Sequence, residues 1–64
     1  MQRLKVGDII VGSDEKEFKV IQIKGDIAIT KYRDFDVEIV NGWLVFEHGQ
    51  RNSDSQNTYF VKEH

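Results

Sequence analysis

The stretch Asp36-Val37-Glu38-Ile39-Val40-Asn41-Gly42-Trp43-Leu44-Val45-Phe46-Glu47 decides how this chain folds. Two alternating runs flank Asn41-Gly42, the pair that most readily takes the double positive-φ turn matching the twist of paired strands. A two-residue loop sets Val40 opposite Trp43, Ile39 opposite Leu44, Glu38 opposite Val45, Val37 opposite Phe46 and Asp36 opposite Glu47. One face of that hairpin carries Val37, Ile39, Leu44 and Phe46 and belongs to a core. The other carries Val40, Trp43 and Val45, edged by Asp36, Glu38 and Glu47, and is too apolar for an ordinary solvent face.

The rest of the chain repeats the two-residue period, and no window of a dozen residues holds a helical stripe. Leu4 to Gly7 lead into a first strand over Asp8–Val11, and Gly12-Ser13-Asp14-Glu15 form a polar turn. Glu17–Lys24 is long for a strand, and Gly25-Asp26 reverses it into Ile27–Tyr32. A three-residue loop from Lys24 to Asp26 pairs Ile23 with Ile27 and Ile21 with Ile29, collecting four isoleucines on one face, and is preferred on that ground. Phe18, Val20, Ala28, Thr30 and Tyr32 then share the other face, which is also half apolar. Long strands with two partly apolar faces suit a bent strand shared by two packed sheets. Arg33-Asp34 is a tight reversal, Gly49–Gln56 a polar loop, and Thr58–Lys62 a last strand with Tyr59 and Val61 on one side and Phe60 on the other. These elements predict an all-β fold: a single-domain SH3-like barrel of five to six short antiparallel strands over residues 1–64. An OB-like barrel is the alternative, although it usually needs more residues and a helix.

Composition narrows the function. Sixty-four residues make one small domain, and 39% apolar residues without a proline argue against disorder. With no cysteine, neither disulfides nor thiolate metal sites are available, which fits a cytoplasmic protein. The N-terminal apolar run is broken by Gly7 and Asp8, too soon for a signal peptide or a membrane span, so no membrane partner is expected. Nine basic against eleven acidic side chains give a net charge of −2, which disfavours nucleic acid as a partner.

Val6-Gly7-Asp8-Ile9-Ile10-Val11, followed by turn residues and Phe18-Lys19-Val20-Ile21, resembles the opening strand pair of KOW and related SH3-like domains. The resemblance covers about the first third of the chain. The glycine that KOW motifs place before the second strand's valine is replaced by Lys19. It implies a small barrel, and contact with RNA or protein as in the ribosomal and transcription proteins where KOW domains act.

Three clusters are candidate sites. Val40, Trp43 and Val45 with Asp36, Glu38 and Glu47 read as a protein-binding patch, an aromatic anchor inside a charged rim. The competing expectation is that a loop, the N-terminal residues or a second sheet covers that face. Asp34, Asp36 and Glu38, at alternate positions with Glu47 across, form a carboxylate ladder; a flat strand wraps an ion poorly, so an outward solvated face is expected. Lys31-Tyr32-Arg33 could stack a base and pair with phosphate, with Lys19, Lys24 and Arg51 nearby, although Tyr32 is expected to be partly buried. His48 and His64 make a weak zinc case, and no nucleophile turn, phosphate loop or metalloprotease pattern occurs. No enzyme activity, metal or cofactor is expected. The sequence therefore points to a module that binds a protein partner, as an adaptor, regulator or inhibitor of the kind phages and mobile elements encode. Single-stranded RNA or DNA binding is the alternative, and pairing of the Trp43 face into a homodimer a third possibility.

Overall fold

The computed structural model describes residues 2–49 and 58–62. Most of the expected polar loop, with Arg51, and the terminal His64 lie outside the described residues. Among the described residues eight short strands follow in order: β1 (Gln2–Arg3), β2 (Ile9–Gly12), β3 (Glu17–Lys24), β4 (Ile27–Thr30), β5 (Asp34–Asp36), β6 (Glu38–Ile39), β7 (Leu44–Val45) and β8 (Tyr59–Val61). Six of them form one antiparallel sheet in the order β5-β4-β3-β2-β8-β7, while β1 and β6 pair separately. The sheet rolls until its ends meet. Phe35 bridges Glu47, the Asp36 N–H donates to the Phe46 carbonyl (2.8 Å), and the His48 N–H donates to that of Asp34 (3.0 Å). This is the small all-β barrel expected, and no helix occurs among the described residues.

The expected bent strand is β3. Its first half pairs with β2 (Ile9 with Lys19, Val11 with Glu17) and its second half with β4 (Ile23 with Ala28, Lys24 with Ile27). At the handover a bulge leaves Ile21 unpaired between Val20 and Gln22. An extra residue bends a strand and sharpens its twist, which is what turns one sheet into a barrel wall. Inside lie Leu4, Ile10, Phe18, Val20, Ala28, Phe35, Val37, Val45 and Tyr59. Phe18, Phe35 and Tyr59 pack edge to face or tilted, with ring centroids 5.0 to 6.1 Å apart. That geometry adds to what burial alone contributes.

Three expected registers are corrected. The Gly25-Asp26 loop has two residues, not three, because Lys24 pairs with Ile27 and Ile23 with Ala28. Gly25 takes the positive φ (61°) that a glycine-first hairpin turn needs. The core face of this hairpin is therefore Phe18, Val20, Ala28 and Thr30, not the isoleucines. The bulge brings Ile23 back towards the core and leaves Ile21 57% exposed.

The Asn41-Gly42 turn forms with both φ values positive, 58° and 82°, and the Trp43 N–H donates to the Val40 carbonyl (3.2 Å). Pairing closes one residue later: Val40 and Leu44 exchange both backbone hydrogen bonds (2.7 and 2.8 Å), so Trp43 belongs to the loop. A shift of one residue exchanges the faces of the second strand. Val45 thus points into the core, 1% exposed, while Leu44 faces outward. Farther along, Glu47 lies across from Phe35, not from Asp36. The chain bends at Val37, where β6 leaves the hairpin to pair with β1 (Gln2 with Ile39, Arg3 with Glu38). Leu4 and Val37, tied by a 2.7 Å backbone hydrogen bond, plug the barrel beneath this turn-off.

Candidate functional site

Alternation along β2, β7 and β8 sorts their residues into two sets. Ile10, Gly12, Val45 and Tyr59 are buried; Ile9, Val11, Leu44 and Phe60 between them are half-buried and face outward. The ladder places the outward residues side by side. Leu44 pairs with Phe60, Phe60 with Val11, and Val11 with Glu17, one row across four strands. Val40, bridged to Leu44, extends it at one end. Over this row lies Trp43, its ring stacked on Phe60 with centroids 5.1 Å apart and planes 24° from parallel. The Trp43 carbonyl accepts the Val61 N–H (2.8 Å), so the loop that carries the indole is fastened to β8. Even so, Trp43 remains 49% exposed.

The surface expected around Trp43 is thus partly right in its members and wrong in its rim. Val40 and Trp43 are there, Val45 is core, and Leu44, Phe60 and Val11 take its place. The carboxylates lie elsewhere. Glu47 accepts from the Arg33 guanidinium (2.8 Å) and the Tyr59 hydroxyl (2.5 Å) at the seam of the barrel. Asp36 lies 3.1 Å from His48 Nδ1, and Glu38 sits on β6 opposite Arg3. At the Glu17 end the strip is bordered instead by Lys62, 3.6 Å from Glu17, and by Lys19, which pairs across from Ile9. The bend at Val37 breaks the Asp34, Asp36, Glu38 ladder. Among the described residues no group of three or more histidines and carboxylates could hold a metal ion.

Tyr32 is also corrected: it is 73% exposed, not partly buried. β4 ends at Thr30 and the turn lifts the tyrosine off the sheet. Lys31 holds its ammonium 5.6 Å from the Tyr32 ring centroid, while Arg33 points to Glu47 and over Phe18. Lys24 is exposed at the far end of the β3–β4 hairpin. The sequence puts Phe60 on the opposite side of the last strand from Tyr59 and Val61, but which side faces out, and its place beside Leu44 and Val11, depend on a strand order that no local signal carries.

Comparison with known protein families, with curated proteins and with solved structures returned no match. The two runs in which the sequence resembles the opening of KOW domains form here as the paired strands β2 and β3.

Proposed function

We propose that this protein is a non-enzymatic binding module whose contact surface for a protein partner is the strip of Trp43, Phe60, Leu44, Val11 and Val40. The supporting observation is the Trp43 indole, stacked on Phe60 and left half in solvent beside an apolar row. A rigid aromatic beside apolar neighbours and within a charged border is the composition of interface hot spots, because the indole loses little entropy on binding and brings a large area.

The test uses the immobilised full chain as bait, beside Trp43→Ala and Ile21→Ala. The second variant removes another exposed apolar side chain, on β3 and outside the strip. Trp43→Ala abolishes capture of the partner while its far-UV spectrum stays that of the parent, and Ile21→Ala changes neither. Capture that survives Trp43→Ala would falsify the assignment, and so would an unfolded Trp43→Ala variant, which would make the indole part of the core. If the wild-type chain runs as a dimer in light scattering and the variant as a monomer, the partner is a second copy of the chain.

A further inference from the structure

A second place on the molecule has the makings of a ligand site and shares no residue with the strip except its border residue Glu17. Where the β2–β3 and β4–β5 turns approach each other, a cleft of about 360 Å³ is lined by Lys16, Glu17, Phe18, Tyr32 and Arg33. We propose that this cleft binds a nucleotide, the base stacked on Tyr32 and the phosphate held by Lys31, Lys16 and Arg33. The proposal does not depend on the Trp43 reading.

Tyr32 is held out in solvent by a fixed turn, not by a loose one. The buried Thr30 hydroxyl donates to the Arg33 carbonyl (2.7 Å) and accepts the N–H groups of Tyr32 (3.3 Å) and Arg33 (3.0 Å). The Thr30 N–H adds a fourth bond to the Arg33 carbonyl (3.0 Å). An aromatic ring in a preset position stacks a base without an ordering cost, and such stacking is largely indifferent to which base it is. Phe18 lines the cleft, its ring 6.4 Å from that of Tyr32 at 77°. Arg33 stands 6.0 Å over the Phe18 ring, so a cation borders the aromatic lining.

The cations that an anion would meet are Lys31 and Lys16, with Arg33 shared with Glu47. Glu17, which lines the cleft, pairs with Lys62 (3.6 Å), and Glu47 accepts from the Tyr59 hydroxyl and from Arg33, whose guanidinium must share itself with Glu47 to reach a phosphate. Lys16 reaches Asp14 only at 4.0 Å, and Lys31 makes no ion pair among the described residues. A volume of this size is near the small end of ligand sites, about 300–1,000 Å³, and suits one base with its phosphate. Net charge disfavours a long basic track on a duplex, and weighs less against a single stacked unit that needs only two or three cations.

The same chemistry comes from a free nucleotide or from one unit of a single strand, and the experiment separates them. The ¹⁵N-labelled full chain is titrated with adenosine monophosphate, with an oligothymidylate and with phenyl phosphate, at low and at raised salt. Shifts at the amides of Lys16, Phe18, Tyr32 and Arg33 with either nucleotide probe support the site; with both, free nucleotide suffices, and with the oligomer alone, the strand is the ligand. Tyr32→Ala weakens binding about tenfold, Tyr32→Phe keeps it, and Lys31→Glu weakens it while flattening the salt dependence. Because Tyr32 is so exposed, the remainder of the Tyr32→Ala spectrum stays that of the parent. The proposal is overturned by no shift with either nucleotide, by shifts centred on Trp43 and Phe60, by undiminished binding in Tyr32→Ala, or by a response to phenyl phosphate alone.

Discussion

Replacing Val45 by alanine tests the register of the Asn41-Gly42 hairpin by its energy. In the structure the side chain is 1% exposed, packed in the core with Tyr59 and Phe35 among its members. Removing two buried methyl groups forfeits about 1.6 kcal/mol at ~0.8 kcal/mol each. The void left behind adds up to about 1 kcal/mol, since a barrel wall held on both sides by ladders relaxes little. The sum is about 2–3 kcal/mol, close to the whole stability of a chain at the low end of ~0.05–0.15 kcal/mol per residue over 64 residues. Leu44→Ala trims a half-buried outward side chain and costs about 1 kcal/mol. Trp43→Ala loses one stacked pair and costs about 1 kcal/mol as well. Pairing Val40 directly with Trp43 reverses the first two, with Leu44 inside and Val45 in solvent. Urea unfolding followed by far-UV circular dichroism separates the cases. At a slope of about 1 kcal/mol/M for so small a protein, the midpoint falls by about 2 M or more for Val45→Ala and by about 1 M for each of the others. A Val45→Ala midpoint no lower than that of Leu44→Ala would refute the three-residue loop and with it the placing of Trp43 against Phe60.

Further outcomes follow from single positions. Gly12→Ala puts a methyl group 2.7 Å from Asp14 Oδ1 and 3.3 Å from the Tyr59 ring, so it destabilises by about 1–3 kcal/mol in the same unfolding assay. Gly25→Ala meets no neighbour within 4 Å but must keep φ near 61°, a cost of about 1–2 kcal/mol that comes from the backbone alone; Gly25→Asn recovers part of it. Thr30→Val empties the three hydrogen bonds that hold the 30–33 turn and lowers stability by about 2 kcal/mol, whereas Thr30→Ser keeps most of it. Arg33→Ala costs under about 1 kcal/mol, because its ion pair with Glu47 is partly exposed and Glu47 keeps the Tyr59 hydroxyl; Tyr59→Phe, at about 1 kcal/mol, removes that remaining donor.

How far the sequence can be read here depends on where each decision is made. Turn chemistry is local, and Asn41-Gly42 and Gly25-Asp26 both reverse the chain where their residues say. Strand existence is nearly local: Glu17–Lys24 forms over the range its alternation marks. Register is not: besides the loop length at Gly25-Asp26, the departures came from single residues drawn out of a hairpin by something distant in sequence. Trp43 is taken into the loop by Phe60 and by the Val61 N–H. Ile21 is bulged where β3 changes partners, and the chain bends at Val37 because β1 offers β6 a different neighbour. A hairpin considered by itself maximises its own apolar face, whereas a barrel this small must make every strand serve two neighbours. The slips are how it does so. The candidate surface inherits that logic: Trp43 was legible as an aromatic whose face is either a binding patch or covered, but its setting was not, since Phe60, Val11 and Leu44 become neighbours only when β8 closes between β2 and β7. Isolated hairpin peptides of residues 34–48 would therefore be expected to lose the Val40–Leu44 pairing, and the register becomes a property of the closed barrel, not of the turn.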